Sequence, residues 1–203
     1  MPLLNIIGVD ACGRSFCVAF AFLSGETEKD IAWALRRLRL FYDEPQSRLP
    51  SVILTDRALA ANNAIKDVFP EAACLLCLWH ANKALTRYCQ PALMAQNVDS
   101  NVQPDRQKAW KDFVDIWHKI MQSLTVDAYN GNVKELENLY SMTNPREVLY
   151  IKDTWLLQHK EQLVQAWADQ HLHFGNVVTS GAEGIHALIK GYLKVSKLDT
   201  FSA

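Results

Sequence analysis

Residues 51–90, SVILTDRALAANNAIKDVFPEAACLLCLWHANKALTRYCQ, decide the fold. The apolar run Val52-Ile53-Leu54 stops at Thr55-Asp56. A short β-branched run ending on an acid reads as a buried strand that carries a carboxylate to its C-terminal edge. From Ala58 to Phe69, the residues Leu59, Ile65, Val68 and Phe69 recur at helical spacing until Pro70 ends the helix. Ala73 to Cys77 then reads as a second buried strand that runs straight into a helix from Leu78. Strand, helix, strand, helix over so short a span implies a parallel pair with a right-handed crossover. Functional groups in such sheets collect at the carboxyl ends of the strands, so Asp56 and the Cys77–His80 segment are expected at one edge.

Composition bounds what that edge can belong to. A chain of 203 residues with 49% hydrophobic content can bury a real core, and it suits one domain with a large insertion. Lys plus Arg at 21 against Asp plus Glu at 22 leaves a net charge of −1, so no global basic field points to nucleic acid. DNA contact must come from local clusters: Arg36, Arg37 and Arg39, Lys83 and Arg87, Lys190 and Lys194. Apolar stretches are interrupted well before a membrane span, and no leader pattern opens the chain. The expectation is a soluble, intracellular protein without a membrane partner. Five cysteines, an odd number, fit reduced thiols better than a disulfide framework.

Outward from the central stretch, Leu3 to Val9 reads as a strand, Asp10 to Arg14 as a turn, and Ser15 to Leu23 as a second strand. The second is apolar on both faces, which predicts a strand covered above and below. Thr27 is the expected N-cap of a helix over Ile31 to Tyr42, with Asp30 in its first turn and Trp33, Leu35, Leu38 and Phe41 on its core face. The arginines at 36, 37 and 39 are read as a solvated face. After Gln90 the pattern turns helical. Pro91 to Gln103 is expected to be loop-rich, and Asp105 to Leu124 is one long amphipathic helix. Further helices are expected over Val126 to Tyr140 and Arg146 to Ala168, punctuated at Asn130-Gly131-Asn132 and Asn144-Pro145. The domain plan is therefore a first α/β part over residues 1–90, an all-helical insertion over 91–175, and a final helix over 176–203 in which Thr179 or Ser180 is the cap.

Three stretches together, PLLNIIGVDACGRSFCVAFAFLSGE, ILTDRALAANNAIKDVFPEAACLLCLWHANKAL and TSGAEGIHALIKGYL, resemble the transposase domain of Mutator-like elements. The resemblance spans essentially the whole chain. It implies a ribonuclease H-like fold of the DDE transposase type with a helical insertion, and a site of three carboxylates holding Mg2+ or Mn2+. The second carboxylate falls on Asp56 and the third on Glu183, within T-S-x-x-E-G-x-H. The family's C-x-x-H motif falls on Cys77 and His80. DNA contacts are expected from Lys83, Arg87, His186 and Lys190. The first carboxylate belongs to a motif ahead of Pro2-Leu3-Leu4, so the start at Met1 is read as a truncation that leaves the first strand missing. Asp10 is not its substitute, because it sits in the hairpin turn. The implied partners are transposon-end and target DNA and a second copy in a homo-oligomer, and the implied location is the nucleus.

The chemistry explains the residue types. In-line displacement at phosphorus uses two divalent ions about 3.5–4 Å apart to activate the attacking hydroxyl and stabilise the leaving oxygen. Carboxylates are the hard oxygen ligands such ions need. Two acids position a metal pair poorly without a third, so this chain by itself is expected not to cut DNA, and its near-neutral charge with few local basic clusters predicts weak DNA binding. Plainer roles stand beside these. Asp56 is also a reasonable N-cap before Arg57-Ala58, and Glu183 a first-turn partner of the helix dipole. Cys74, Cys77, His80 and Cys89 suggest half a zinc site, but Cys74 and Cys77 are an odd number apart on one strand and point to opposite faces. Trp79 is read as core packing ahead of base stacking. A cysteine-protease pairing of Cys77 with His186 lacks an oxyanion donor and an orienting Asn. The alternative to an enzyme is a non-catalytic DNA-associated regulator derived from a transposase, or a decayed copy.

Overall fold

The computed structural model of the chain describes residues 1–10, 12–42, 48–95, 106–179, 184, 185, 187 and 191. The chain divides into two compact units, Met1–Trp79 together with His171–Ala203, and His80–Gln170. The first is α/β and the second is helical.

In the α/β unit, β1 (Leu3–Val9) and β2 (Ser15–Phe22) form an antiparallel hairpin in the expected place. Its turn is tied by Asp10, whose Oδ1 accepts from the backbone N of Cys12 and of Arg14 and whose Oδ2 accepts from Arg14 Nε. Those bonds, the backbone N of Arg14 foremost, hold the Asp10 carboxyl below its ordinary value. Gly13 takes the left-handed conformation, φ 75°, that the turn requires. The register steps from Ile6↔Ala19 to Ile7↔Cys17, which leaves Val18 as a bulge in β2.

Helix α1 (Glu28–Arg39) starts with a reciprocal capping box between Thr27 and Asp30, as the sequence indicated. Then β3 (Val52–Thr55), α2 (Leu59–Val68) and β4 (Ala73–Leu76) form the parallel crossover, in register from Val52↔Ala73 to Thr55↔Leu76. One core joins these parts. Leu4 and Leu23 of the hairpin, Ile31 and Leu35 of α1, and Ile65 and Phe69 of α2 pack together, with Ile6, Ile53 and Cys74 against them. Both two-stranded ribbons therefore lie on the same α1–α2 layer, while among the described residues they form separate sheets.

Three expectations about burial are corrected. Strand β2 is not covered on both faces: its neighbour among the described residues is β1, and Phe16, Val18, Phe20 and Phe22 are exposed. The buried stripe of α1 is Ile31, Ala34 and Leu35, with Leu38 half-buried; Trp33 falls off that face of the wheel, Phe41 stands in the 3-10 turn Leu40–Tyr42 after the helix, and both are exposed. Leu59 stands at the solvent-facing start of α2, whose core contacts come from Ala61, Ala64, Ile65 and Val68. The arginine face of α1 is not merely solvated either. Arg36 pairs with Asp67, Arg39 donates to the carbonyl of Val68 and lies over Phe69, and Arg37 lies over Trp33.

Helix α3 (Leu78–Ala95) leaves the α/β unit with Leu78 and Trp79 and continues in the helical unit. It runs through Pro91, where a loop was expected. Pro91 and Arg87, whose carbonyl loses its partner, are both exposed, so water can take the place of the missing bond. Residues 96–103 of the expected loop, and 104 and 105 after it, lie outside the described residues. Then follow α4 (Arg106–Met121), α5 (Val126–Tyr140), α6 (Pro145–Tyr150), a π-helical turn over Ile151–Leu156, α7 (Leu157–Leu163) and α8 (Gln165–Ala168). Asn130-Gly131-Asn132 does not interrupt α5, because Asn132 Nδ2 donates to Lys119 O and Ser123 Oγ and holds that turn against its neighbour. Phe113, Trp117, Ile120, Leu136, Ile151 and Val164 are fully buried. Edge-to-face aromatic pairs join Trp117 with Trp155 and Phe113 with Tyr140, each adding ~0.5–1.5 kcal/mol beyond area burial. No strand occurs among the described residues of this unit. No helix of the described residues is long and apolar enough to cross a membrane.

Candidate functional site

The parallel register places the ends of β3 and β4 side by side, and Cys77 is the residue on which that edge converges. Its backbone N donates to Thr55 O at 2.7 Å, which extends the ladder one step past β4. The next residue, Leu78, donates from its N to Val177 O at 2.9 Å. The Cys77 thiol is buried and accepts from Thr179 twice, from N at 3.3 Å and from Oγ1 at 3.2 Å. The segment 177–179 is thus fastened beside the β4–α3 junction. A left-handed pair, Phe174 and Gly175 with φ 52° and 77°, precedes it.

Asp56 follows Thr55 at this edge and is half-buried. Its Oδ1 accepts from Ala58 N at 2.9 Å, an Asx turn that bends the chain into α2. The N-cap position of α2 is Ala58, which offers no side-chain bond, so the plainer role of Asp56 at the start of α2 is realised one turn earlier. Two polar atoms near the strand edges are buried without a hydrogen-bond partner among the described residues, Thr55 Oγ1 beside Asp56 and Asn5 Nδ2 on β1. Leaving such groups unsatisfied costs ~1–3 kcal/mol each.

The other expected site residues are distributed as follows. His80 is half-buried on α3, and Lys83 and Arg87 are exposed on the same helix one and two turns further on. Trp79 is 42% exposed rather than core. Glu183, His186 and Lys190 lie outside the described residues, as does Lys194. Cys74 packs on the α/β core, where burial raises its thiol pKa and its Sγ donates to Asn62 Oδ1. Cys89 is buried in the helical unit, and burial, with the Glu147 carboxylate adding to it, pushes its thiol up to about 12. Among the described residues no group of three or more His, Cys, Asp or Glu side chains is placed to hold a metal. Asp56 supplies hard oxygens of the right kind, while both Asp10 oxygens are taken by its own turn.

The functional contact that the sequence reading missed is Thr179 as a donor to Cys77. The signal was present in Val177-Val178-Thr179, a β-branched run whose polar member needs a buried partner, but its distance in sequence from Cys77 hid which partner that is.

An α/β unit with a parallel crossover, an acid at its strand end and a C-x-x-H at the next is the setting in which the comparisons fall. Residues 1–84, less than half of the chain, match the family model of the MULE transposase domain, which is what this part of the chain is similar to. The match includes Asp56, Cys77, His80 and Lys83, and ends before Arg87 and Glu183. In Chaetomium globosum, a protein described as a PKS-NRPS hybrid synthetase cheA is 28% identical over 83 residues, 41% of this chain and 2% of that protein. So short a share of the relative says nothing of synthetase chemistry here.

Proposed function

We propose that this chain is the catalytic part of a DNA transposase, a ribonuclease H-like domain with residues 91–175 as its helical insertion, acting in metal-dependent cleavage and transfer of transposon-end DNA strands in the nucleus. The observation that supports it most is the fastening of Thr179 to Cys77. Thr179 opens T-S-x-x-E, the motif that carries Glu183 in the sequence, and the start of that motif lies at the strand edge that carries Asp56. The two ribbons on one helix layer, with β1 and β3 each unpaired on one side among the described residues, support a ribonuclease H-like sheet in which a further strand joins them.

In this reading Asp56 and Glu183 would hold Mg2+ or Mn2+ together with a third acid, and the bound ions would supply charge stabilisation for an in-line displacement at phosphorus. The chain's own part is positional. Cys77 holds the Glu183-bearing segment, the Asx turn holds Asp56, and Lys83, Arg87, His186 and Lys190 neutralise phosphates.

The test is Mn2+ titration of the chain followed by NMR. Paramagnetic broadening is expected to centre on Asp56, Cys77 and Thr179, and Asp56→Asn or Glu183→Gln is expected to remove it. Broadening indifferent to both substitutions, or absent at millimolar Mn2+, would overturn the metal site and favour a non-catalytic DNA-associated role.

A further inference from the structure

The turn that leads into the Cys77-fastened segment carries a residue that its own geometry disfavours. His173–Asn176 is closed twice, since the Asn176 backbone N and its Nδ2 both donate to His173 O at 2.9 Å. Its two central residues, Phe174 and Gly175, both take positive φ, 52° and 77°. Turns of that class prefer Asn-Gly, because asparagine and glycine reach left-handed backbone at little cost whereas a bulky side chain does not. Among the described residues Phe174 is the one non-glycine with positive φ. Packing does not compensate, as Phe174 is 80% exposed and Leu172 nearby 70%. A doubly closed turn thus holds an aromatic ring out in solvent, with backbone strain that nothing within the fold offsets. Strain of this kind persists where it serves a site.

We propose that Phe174 stacks on an unpaired base of DNA held along the candidate site, an inference that rests on the transposase reading above. The position of the turn supports a nucleobase as the occupant. Val177, whose carbonyl accepts from Leu78 N, follows Phe174 by three residues, a span of at most ~11 Å, and Thr179 is held by Cys77 just beyond. DNA acted on at the strand edge therefore passes within reach of the ring. The charge of the segment agrees. Residues 171–179, HLHFGNVVT, contain no Asp or Glu, so a phosphate chain meets no like charge there, and two histidines flank the ring. A flat apolar ring stacks on any base without regard to sequence, and only on one whose face is free, which the bases inside a continuous duplex do not offer. The closed turn holds the ring in place beforehand, so little ordering remains to oppose binding. The ligand is thus a single-stranded overhang or an extruded base, and Phe174 is a positioning residue that takes no part in chemistry at phosphorus.

The test uses the full chain and two DNA probes at low salt: a long, fully paired duplex, and the same duplex with a single-stranded overhang carrying 2-aminopurine, whose fluorescence falls when it stacks. Tighter binding of the overhang probe is expected, with quenching. Phe174→Asn suits the left-handed position and keeps the turn. It is expected to remove the quenching and to weaken overhang binding ~5- to 150-fold, the range that base–aromatic stacking spans, with a thermal midpoint no lower than that of the unaltered chain. Phe174→Trp is expected to retain both the quenching and the preference. Equal binding of the two probes, or a preference that survives Phe174→Asn or is lost equally in Phe174→Trp, overturns the stacking and leaves the transposase reading standing. A lowered midpoint in Phe174→Asn shows that the ring packs within the protein and overturns it as well. Binding of neither probe removes the DNA reading itself, and the proposal with it, while the Mn2+ titration, which needs no DNA, reports on the metal site separately.

Discussion

Replacing Cys77 by alanine is expected to release the 177–179 segment from the β4–α3 junction. The buried sulfur accepts both the backbone N and the hydroxyl of Thr179. Removing it leaves a buried N–H without an acceptor, ~1–3 kcal/mol, and empties a volume near that of a methylene, ~0.8 kcal/mol. The expected cost is ~2–3 kcal/mol, borne by local opening. Thr179→Val keeps the shape and the N–H bond and loses the hydroxyl bond alone, ~0.5–1 kcal/mol. Native-state hydrogen exchange at Leu78, whose amide donates to Val177 O, reads this opening directly. At tenfold per 1.4 kcal/mol, Cys77→Ala should speed Leu78 exchange roughly 30- to 100-fold, and Thr179→Val only a few-fold. In the double variant the two effects should fall short of additivity, since Thr179→Val has nothing left to remove once the sulfur is gone. Unchanged Leu78 exchange in Cys77→Ala, or a Thr179→Val cost that is the same in both backgrounds, would refute the fastening.

Two further outcomes follow from buried groups of the helical unit. The Cys89 thiol sits at about 12 against an ordinary 9.0, so the unfolded chain gives up its proton first. Stability is full below pH 9 and falls as pH rises towards 12, and an alkaline unfolding series should be flattened by Cys89→Ala; a slope unaltered by that substitution would exclude the thiol as its source. Trp117 Nε1 donates to Asn82 Oδ1 at 2.7 Å, so Trp117→Phe should cost ~1–3 kcal/mol in urea unfolding, whereas a change under ~0.5 kcal/mol would show that the bond contributes nothing net.

Much of the α/β unit was legible because its signals are local. The hairpin, both parallel strands, the Thr27 cap and the Asp56 strand end all depend on residues within a few positions of one another. Burial was less legible, since it depends on which neighbours an element has. An apolar strand such as β2 reads as central whatever covers it, and its exposed phenylalanines show that apolar composition on both faces does not by itself supply a cover. Trp33 was assigned to the core on hydropathy although its angular position on α1 excludes it, and Phe41 although it stands in the 3-10 turn beyond the end of that helix. Pro91 read as a break because its local cost is certain, whereas the exposure of Arg87, the residue whose carbonyl loses its partner, appears only in three dimensions.

The candidate site divides along the same line. Asp56 could be read from a strand end, and Cys77 and His80 from their spacing and the family resemblance, but no local pattern says why a cysteine stands at 77. The structure gives a physical reason. The position is buried, lies one step beyond β4, and must offer an acceptor to two donors of Thr179 from a distance of 3.2–3.3 Å. Serine would set a smaller oxygen atom on a shorter bond and draw the two segments closer together. Alanine or valine would leave the Thr179 donors unsatisfied. Sulfur is large enough to bridge that spacing and apolar enough to be buried without a full set of partners. The first half of the C-x-x-H motif therefore acts in this chain as a structural fastener for the segment leading to Glu183, a role that requires neither a metal nor a reactive thiol.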